Sequence, residues 1–303
     1  MPSPIALFVY NRPQHTRQTI DALRANAMAQ DSVLYIFSDA AKNENAKSAV
    51  QQVRDYIHSL ESLAYFKTVI IIEATENQGL AASIISGVTY VLSLHHRIIV
   101  LEDDLITSPY FLTYMNGALD YYADQKTIGS ISAFTCPVRA LKHYKHDVYL
   151  DPKGECWGWA TWEDRWLPTD WDVKDYAEFK NSPQIQRNFN KLQFNLSEML
   201  IDQMEGRIHS WAVRWVYSLF VRDLLTVYPS KSFIGNTGFD GSGTNCAASG
   251  ANPFEKGSIL NYFPNSFHYE MLSVNRRIMH QVAIYERESF SFKVKRKLKK
   301  LFS

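Results

Sequence analysis

The sequence predicts an α/β protein, a mostly parallel sheet flanked by helices in one large domain with an elaborated C-terminal half. Three observations carry this expectation. Strand and helix signals alternate through residues 1–135, the pattern of strands joined by crossover helices. The chain has 303 residues, 46% of them hydrophobic, enough for a sizeable core. Polar and charged residues follow directly on several apolar runs, and open α/β sheets hold their ligands beyond the carboxyl ends of their strands.

The elements follow in order. Ile5 to Tyr10 reads as a strand and Thr16 to Arg24 as a helix. Leu34 to Phe37 is a strand that ends in Ser38-Asp39, and Ala46 to Leu60 is helical. Val69 to Ile72 is a strand, and Leu80 to Leu94 is an apolar-rich helix. Ile98 to Leu101 is a strand that runs into Glu102-Asp103-Asp104. Ser108-Pro109 opens the next helix, and Ile128 to Phe134 is another strand. Asn11-Arg12, Asp39 and the three acids should therefore line one crevice. The second half differs. All seven tryptophans fall between Trp157 and Trp215, and residues 235–250 read GNTGFDGSGTNCAASG, a long loop of functional character. No repeat, linker or domain break is visible. The expected division is a domain over 1–288, with halves at 1–135 and 136–288, then a basic tail over 289–303.

Net charge is +1, which gives no global pull toward nucleic acid. Cys136, Cys156 and Cys246 are far apart without CxxC spacing, and read as free thiols of a reducing compartment. The opening MPSPIALFVYN reads as a first strand rather than a leader. No run approaches the ~20 apolar residues of a membrane span. A cytoplasmic location is expected. The tail adds a peripheral contact: Phe290, Val294, Leu298 and Leu301 keep helical spacing among Lys293, Lys295, Arg296, Lys297, Lys299 and Lys300. That pattern suits an amphipathic helix on an anionic membrane, and a solvated tail is the alternative.

The acids carry the sharpest chemistry. Three carboxylates where a buried strand emerges repel one another. A hard divalent cation, Mg²⁺ or Mn²⁺, removes that repulsion and is usually shared with phosphate oxygens. Solvated acids opening the next segment, a receiver-type phosphorylation site or an acid-dependent phosphatase would also place acids there. Arg12, stranded by Pro13 at the sheet edge, suits a phosphate or a base, or a surface ion pair. Asp39 could accept from a nucleobase or ribose. Asn77-Gln78-Gly79 precedes a helix whose first amides could face a phosphate. In ECWGWATWEDRW, Trp157 and Trp159 flank Gly158, so both indoles can project toward a sugar ring, while Trp162 and Trp166 read as core. Glu163 and Asp164 sit on a short helix there, and a carboxylate could take a proton from an acceptor hydroxyl.

Together these residues resemble the GT-A fold of nucleotide-sugar glycosyltransferases, and in particular the N-acetylglucosaminyltransferase I family and its bacterial relatives. Tyr10-Asn11-Arg12 matches that family's first strand end and Phe37-Ser38-Asp39 its second. Glu102-Asp103-Asp104-Leu105 followed by Pro109-Tyr110-Phe111 matches its acidic turn and helix. Cys156-Trp157-Gly158-Trp159 stands where a Gly-x-Gly-Trp-like segment is found. The resemblance covers residues 4 to about 166 well. It implies Asp104 as the metal ligand, with Glu102 and Asp103 toward the sugar or ribose. It puts Tyr10, Asn11, Arg12, Asp39, Asn77 and Gly79 around the nucleotide. The family's catalytic acids do not carry over, because Ser210-Trp211-Ala212-Val213-Arg214-Trp215 has no carboxylate. Asp164, Asp170 and Asp172 are then the candidate bases, with Glu155 behind. Trp157, Trp159, Asp240 and Asn245 are expected at the sugar or acceptor, with Asp240 and Asn245 on a lid-like loop. Asn245 or His268 could complete the metal shell.

The expectation is thus a metal-dependent, inverting transfer of a sugar from a UDP-sugar to a glycan or lipid-linked acceptor. A nucleotidyltransferase is the alternative enzyme, but it would carry a glycine-rich stretch where this chain has NRPQHTRQT. A sugar-binding membrane protein without catalysis is the alternative outside enzymes.

Overall fold

The structure is a computed structural model and describes residues 1–241, 259 and 267–287. Its first half alternates as expected: β1 (Ile5–Val9), α1 (Pro13–Arg24), β2 (Val33–Ser38), α2 (Glu44–Ser59), β3 (Thr68–Glu73), α3 (Gly79–Leu94), β4 (Arg97–Glu102), β5 (Leu105–Thr107), α4 (Phe111–Tyr121) and β6 (Ile128–Ser132). The second half adds β7 (Val148–Asp151), β8 (Trp159–Trp162), α5 (Glu163–Trp166), α6 (Tyr176–Asn181), α7 (Pro183–Phe189), α8 (Leu196–Met204), α9 (Trp211–Val221), β9 (Leu225–Pro229) and β10 (Ile234–Asn236). A last helix, α10, covers residues 276–287.

The strands build one eight-stranded sheet in the order β3-β2-β1-β4-β8-β6-β9-β7, and β10 pairs with β5 in a small second sheet. β1 to β4 run parallel. β8 and β7 run against the others, and β8 is wedged between β4 and β6. That insertion has a consequence for the site. Trp162 pairs with Arg97, the first residue of β4, so whatever follows β8 lies at the amino end of the parallel strands.

Local sequence explains the helices. Pro13 sits in the first turn of α1, where a missing N–H costs nothing. Thr16, Thr19, Ile20 and Leu23 then form its buried face. Asn43 caps α2 by accepting from Ala46 N at 3.2 Å, and Ala46, Val50, Val53 and Ile57 face inward at helical spacing. Strand alternation divides the core between the two faces of the sheet. Ile5, Leu7, Ile99 and Leu101 join the layer under α1, α2 and α4. Ala6, Phe8, Ile98 and Val100 join α3 and the tryptophans on the other face. There Trp159 lies within 5.5 Å of Trp166 and 5.2 Å of Trp211, ring centre to ring centre. Such pairs add about 0.5–1.5 kcal/mol each beyond the area they bury. A third cluster, with Phe179, Phe189 and Tyr217, fills the space under α6 to α9.

Candidate active site

β2, β1 and β4 are neighbours and parallel, so Asp39, Tyr10-Asn11-Arg12 and Glu102-Asp103-Asp104 emerge at one edge of the sheet. The acids leave β4 as it turns into β5. Arg12 meets them from the end of β1. Its guanidinium binds Asp103 and holds Nη1 3.0 Å from Asp104 Oδ2. The Arg12 side chain is 15% exposed. Burial disfavours the guanidinium charge, and the two aspartates outweigh it, holding the group above its ordinary pKa. Glu102 gains no such partner. Burial first, then repulsion from Asp104 and Asp103, pushes its carboxyl up to about 8, so at neutral pH it is mostly a neutral acid. Burial also raises Asp103, with Arg12 opposing. Asp103 Oδ2 is buried and has no hydrogen-bond partner among the described residues.

A second wall closes on this turn from the far end of the chain. β10 pairs antiparallel with β5, so residues 236–240 lie against Asp104. Thr237 donates to the Asp104 carbonyl twice, from its backbone N at 2.8 Å and its hydroxyl at 3.1 Å. Gly238 packs so closely on the Asp104 carboxylate that any side chain there would overlap it. Gly238 N donates to Asn236 Oδ1 at 2.7 Å, which fixes the turn. Asp240 is half exposed, with Oδ2 3.3 Å from His15 Nε2 on the first turn of α1. Thr19 Oγ1 donates to the Asp103 carbonyl at 2.8 Å. Sequence reasoning missed His15, Thr19, Thr237 and Gly238. The visible signals were His15 and Thr19 at i, i+4 directly after Arg12, and the NTGFD run that opens the glycine-rich loop.

The structure separates the other expected residues. Trp157 reaches this region, its ring 4.7 Å from Phe134 and 5.8 Å from Phe239. Gly158 turns the chain with φ +62°, and Ile234 leaves no room for a side chain there. That turn sends the two indoles apart. Trp159, expected at the sugar, is 1% exposed and stacked in the tryptophan core, so it contacts no ligand.

Asp164, expected as a base, is on the wrong end of the sheet, because antiparallel β8 carries it away from the acids. There it pairs with Lys126 at 2.7 Å and Arg165 at 2.5 Å. Asp170 and Asp172 are exposed on the following turn. Asp170 accepts from Asp172 N and Lys174 N. Glu155 accepts from Cys156 N at 2.9 Å and lies 3.8 Å from the buried Lys153 ammonium, which also binds Glu286 of α10.

Asp39 lies at the expected edge, but its carboxylate accepts from four donors of this chain: Ala40 N, Gln78 N, Gly79 N and the Asn77 amide, at 2.8 to 3.0 Å. The amides expected to face a phosphate are therefore taken by this chain's own anion at the start of α3. Tyr10 OH accepts from Lys42 N at 3.0 Å and ties β1 to the same rim. His268 is exposed, with its backbone N on Asp147 at 2.9 Å. Asn245, Cys246 and the 289–303 tail lie outside the described residues. Cys136 and Cys156 are free thiols.

Among the described residues no group of three or more His, Cys, Asp and Glu side chains is arranged to hold a metal ion. The turn offers less than such a cage: two adjacent carboxylates, one with a buried, unpartnered oxygen. That donor set fits a hard divalent cation that takes one or two carboxylates and completes its shell from phosphate. Among the described residues, no helix is long and apolar enough to cross a membrane.

No curated protein matches the chain. Among solved structures it is similar to S. aureus TarS 1-349, at 9% identity and a TM-score of 0.39, over 76% of this chain and 59% of that one. It is also similar to the galactosyltransferase LgtC in complex with donor and acceptor sugar analogs, at 9% identity and a TM-score of 0.36, over 71% and 70%. A UDP-glucose pyrophosphorylase complexed with UDP-glucose aligns at 11% identity and a TM-score of 0.36, over 75% and 90%. The assignment comes from the family model described as Glycosyl transferase family 2, which matches residues 5–185, more than half of the chain. The protein belongs to Glycosyl transferase family 2 and is a glycosyltransferase of the GT-A, Rossmann-like fold.

Proposed function

We propose that the protein moves a sugar from a UDP-sugar to a hydroxyl of a glycan or glycolipid acceptor, with inversion, in the manner expected of N-acetylglucosaminyltransferase I relatives. The observation that carries this reading is the acid turn, where Arg12 bridges Asp103 and Asp104 at the strand ends and Asp103 keeps a buried, unpartnered oxygen. The donor lies across Tyr10, Asn11 and Arg12, with its diphosphate at the acid turn. Asp39 with Asn77 and Gly79 shapes the nucleotide rim. Asp104, with Asp103 beside it, would hold Mg²⁺ or Mn²⁺, which would neutralise charge building on the leaving diphosphate. Glu102 faces the sugar or ribose, and Trp157 offers its face to the sugar ring.

The base in this reading is Asp240. It is half exposed, paired with His15, and sits on the segment that packs against Asp104. Its carboxylate accepts the acceptor's hydroxyl proton, the acceptor oxygen bonds to the anomeric carbon, and the bond from that carbon to the diphosphate breaks. UDP leaves.

The test is calorimetric titration of UDP with and without Mn²⁺. Asp104→Ala is expected to lose Mn²⁺-dependent UDP affinity and turnover together. Mn²⁺-dependent UDP binding that survives the substitution would overturn the placement of the donor. The peripheral membrane contact rests on the sequence of residues 289–303. Deleting them should abolish sedimentation with anionic vesicles, and unchanged sedimentation would remove it.

A further inference from the structure

α3 forms one wall of a groove of about 1060 Å³ that runs away from the strand ends. Lys42, His209 and Arg214 line it, and no lining residue is an aspartate or glutamate. None of the three forms an ion pair among the described residues. The Arg214 guanidinium is partly buried. It donates to the carbonyls of Trp171 at 2.9 Å and Ser210 at 3.3 Å, and sits 5.7 Å from the Trp171 ring centre. Burial lowers its pKa, and the opposing charge comes from Asp172, which is exposed and outside the lining. A half-desolvated guanidinium with no carboxylate in ion-pair contact among the described residues leaves donors for an anion. Trp171 supplies an aromatic wall, and Ala81, Ala82 and Ser86 on α3 leave the floor open. One end is built from Asn77 and Gly79, which Asp39 ties to the crevice edge. The volume is just above the ~300–1,000 Å³ range of small-ligand pockets, which suits several sugar rings.

We propose that this groove is a subsite for an anionic glycan, whose carboxylate or phosphate pairs with Arg214 and Lys42 while a ring stacks on Trp171. It names the acceptor class for the transfer described above and rests on that reading. The groove joins the crevice at Asn77, so a glycan lying along α3 extends toward the donor rim.

The experiment titrates three probes into the full chain: a tetrasaccharide alternating glucuronate and N-acetylglucosamine, a phosphorylated oligosaccharide, and neutral chitotetraose. One anionic probe should bind at least tenfold tighter than chitotetraose, and which one does so separates carboxylate from phosphate as the source of charge. Arg214→Gln and Lys42→Glu should each weaken that binding about tenfold and leave UDP binding with Mn²⁺ unchanged. Lys42 is exposed, so its variant tests the groove even where Arg214→Gln unfolds. Equal affinity for charged and neutral probes, or anionic binding untouched by both substitutions, would overturn the proposal. UDP binding without anionic-glycan binding would defeat this inference alone, and failure of UDP to bind would defeat the donor reading beneath it.

Discussion

Two regions lie on either side of Asn77, and they carry opposite charge. At the strand ends Asp103 and Asp104 share one guanidinium, Glu102 stands beside them outside that pairing, and one Asp103 oxygen is left without a partner among the described residues. Along α3, Lys42, His209 and Arg214 share a groove with no carboxylate in its lining. A third polar region pairs its charges within the chain, although there too one buried oxygen, Glu286 Oε2, has no hydrogen-bond partner among the described residues. Lys153 is buried between Glu155 and Glu286, and α10 docks through that contact. Burying charge is unfavourable unless it is compensated. Compensation at Lys153 comes from within the chain and serves the fold. At the acid turn and along α3 it is incomplete, and a ligand of opposite sign would complete it.

Breaking the acid side should have the larger effect. Arg12→Gln leaves Asp103 and Asp104 adjacent with no counter-ion, and removal of one partner of a buried pair costs about 3–5 kcal/mol. The variant is expected to melt well below the parent in EDTA and to recover part of the loss in Mn²⁺, measured by thermal denaturation. A parent-like melting temperature in EDTA would mean that the acid turn does not need its guanidinium.

A smaller effect sharpens the same contrast through pH. Glu102 holds its proton up to about pH 8 in the folded chain, against an ordinary value of 4.5. Between those values the folded state binds more protons than the unfolded one. Stability from this group is therefore fully present below 4.5 and is lost as pH rises through about 8. Glu102→Gln removes the titration, so its melting temperature relative to the parent should climb from about pH 5 to about pH 8.5. Asp164→Asn is the control. Its carboxylate is 51% exposed in ion pairs at the other end of the sheet, where such pairs contribute little, and it should show no such climb. Matching pH profiles for the two variants would remove Glu102 from the acid cluster.

The acid cluster was legible because its ingredients are local. An apolar run that ends in charged residues announces a strand end, and alternating elements bring such ends to one edge. β1, β2, β3, β4 and the helices between them begin and end within two or three residues of expectation for the same reason. Asp39 was legible in place but not in partners, since its donors at Gln78 and Gly79 come from a turn 39 and 40 residues away.

The tryptophan segment shows where such reading stops. WATW is an apolar run of either direction, and nothing local to it says that β8 enters antiparallel between β4 and β6. That choice put Trp159 in the core and Asp164 at the far end of the sheet. The wall of Thr237, Gly238 and Asp240 likewise depends on β10 finding β5, more than a hundred residues earlier. By itself the sequence determined the sheet's first half and the acidic edge, because hydrophobic period and strand ends are properties of neighbours along the chain. Only the tertiary structure decided which aromatic, which carboxylate and which cations share that edge, because those depend on strand direction and on pairings between distant segments.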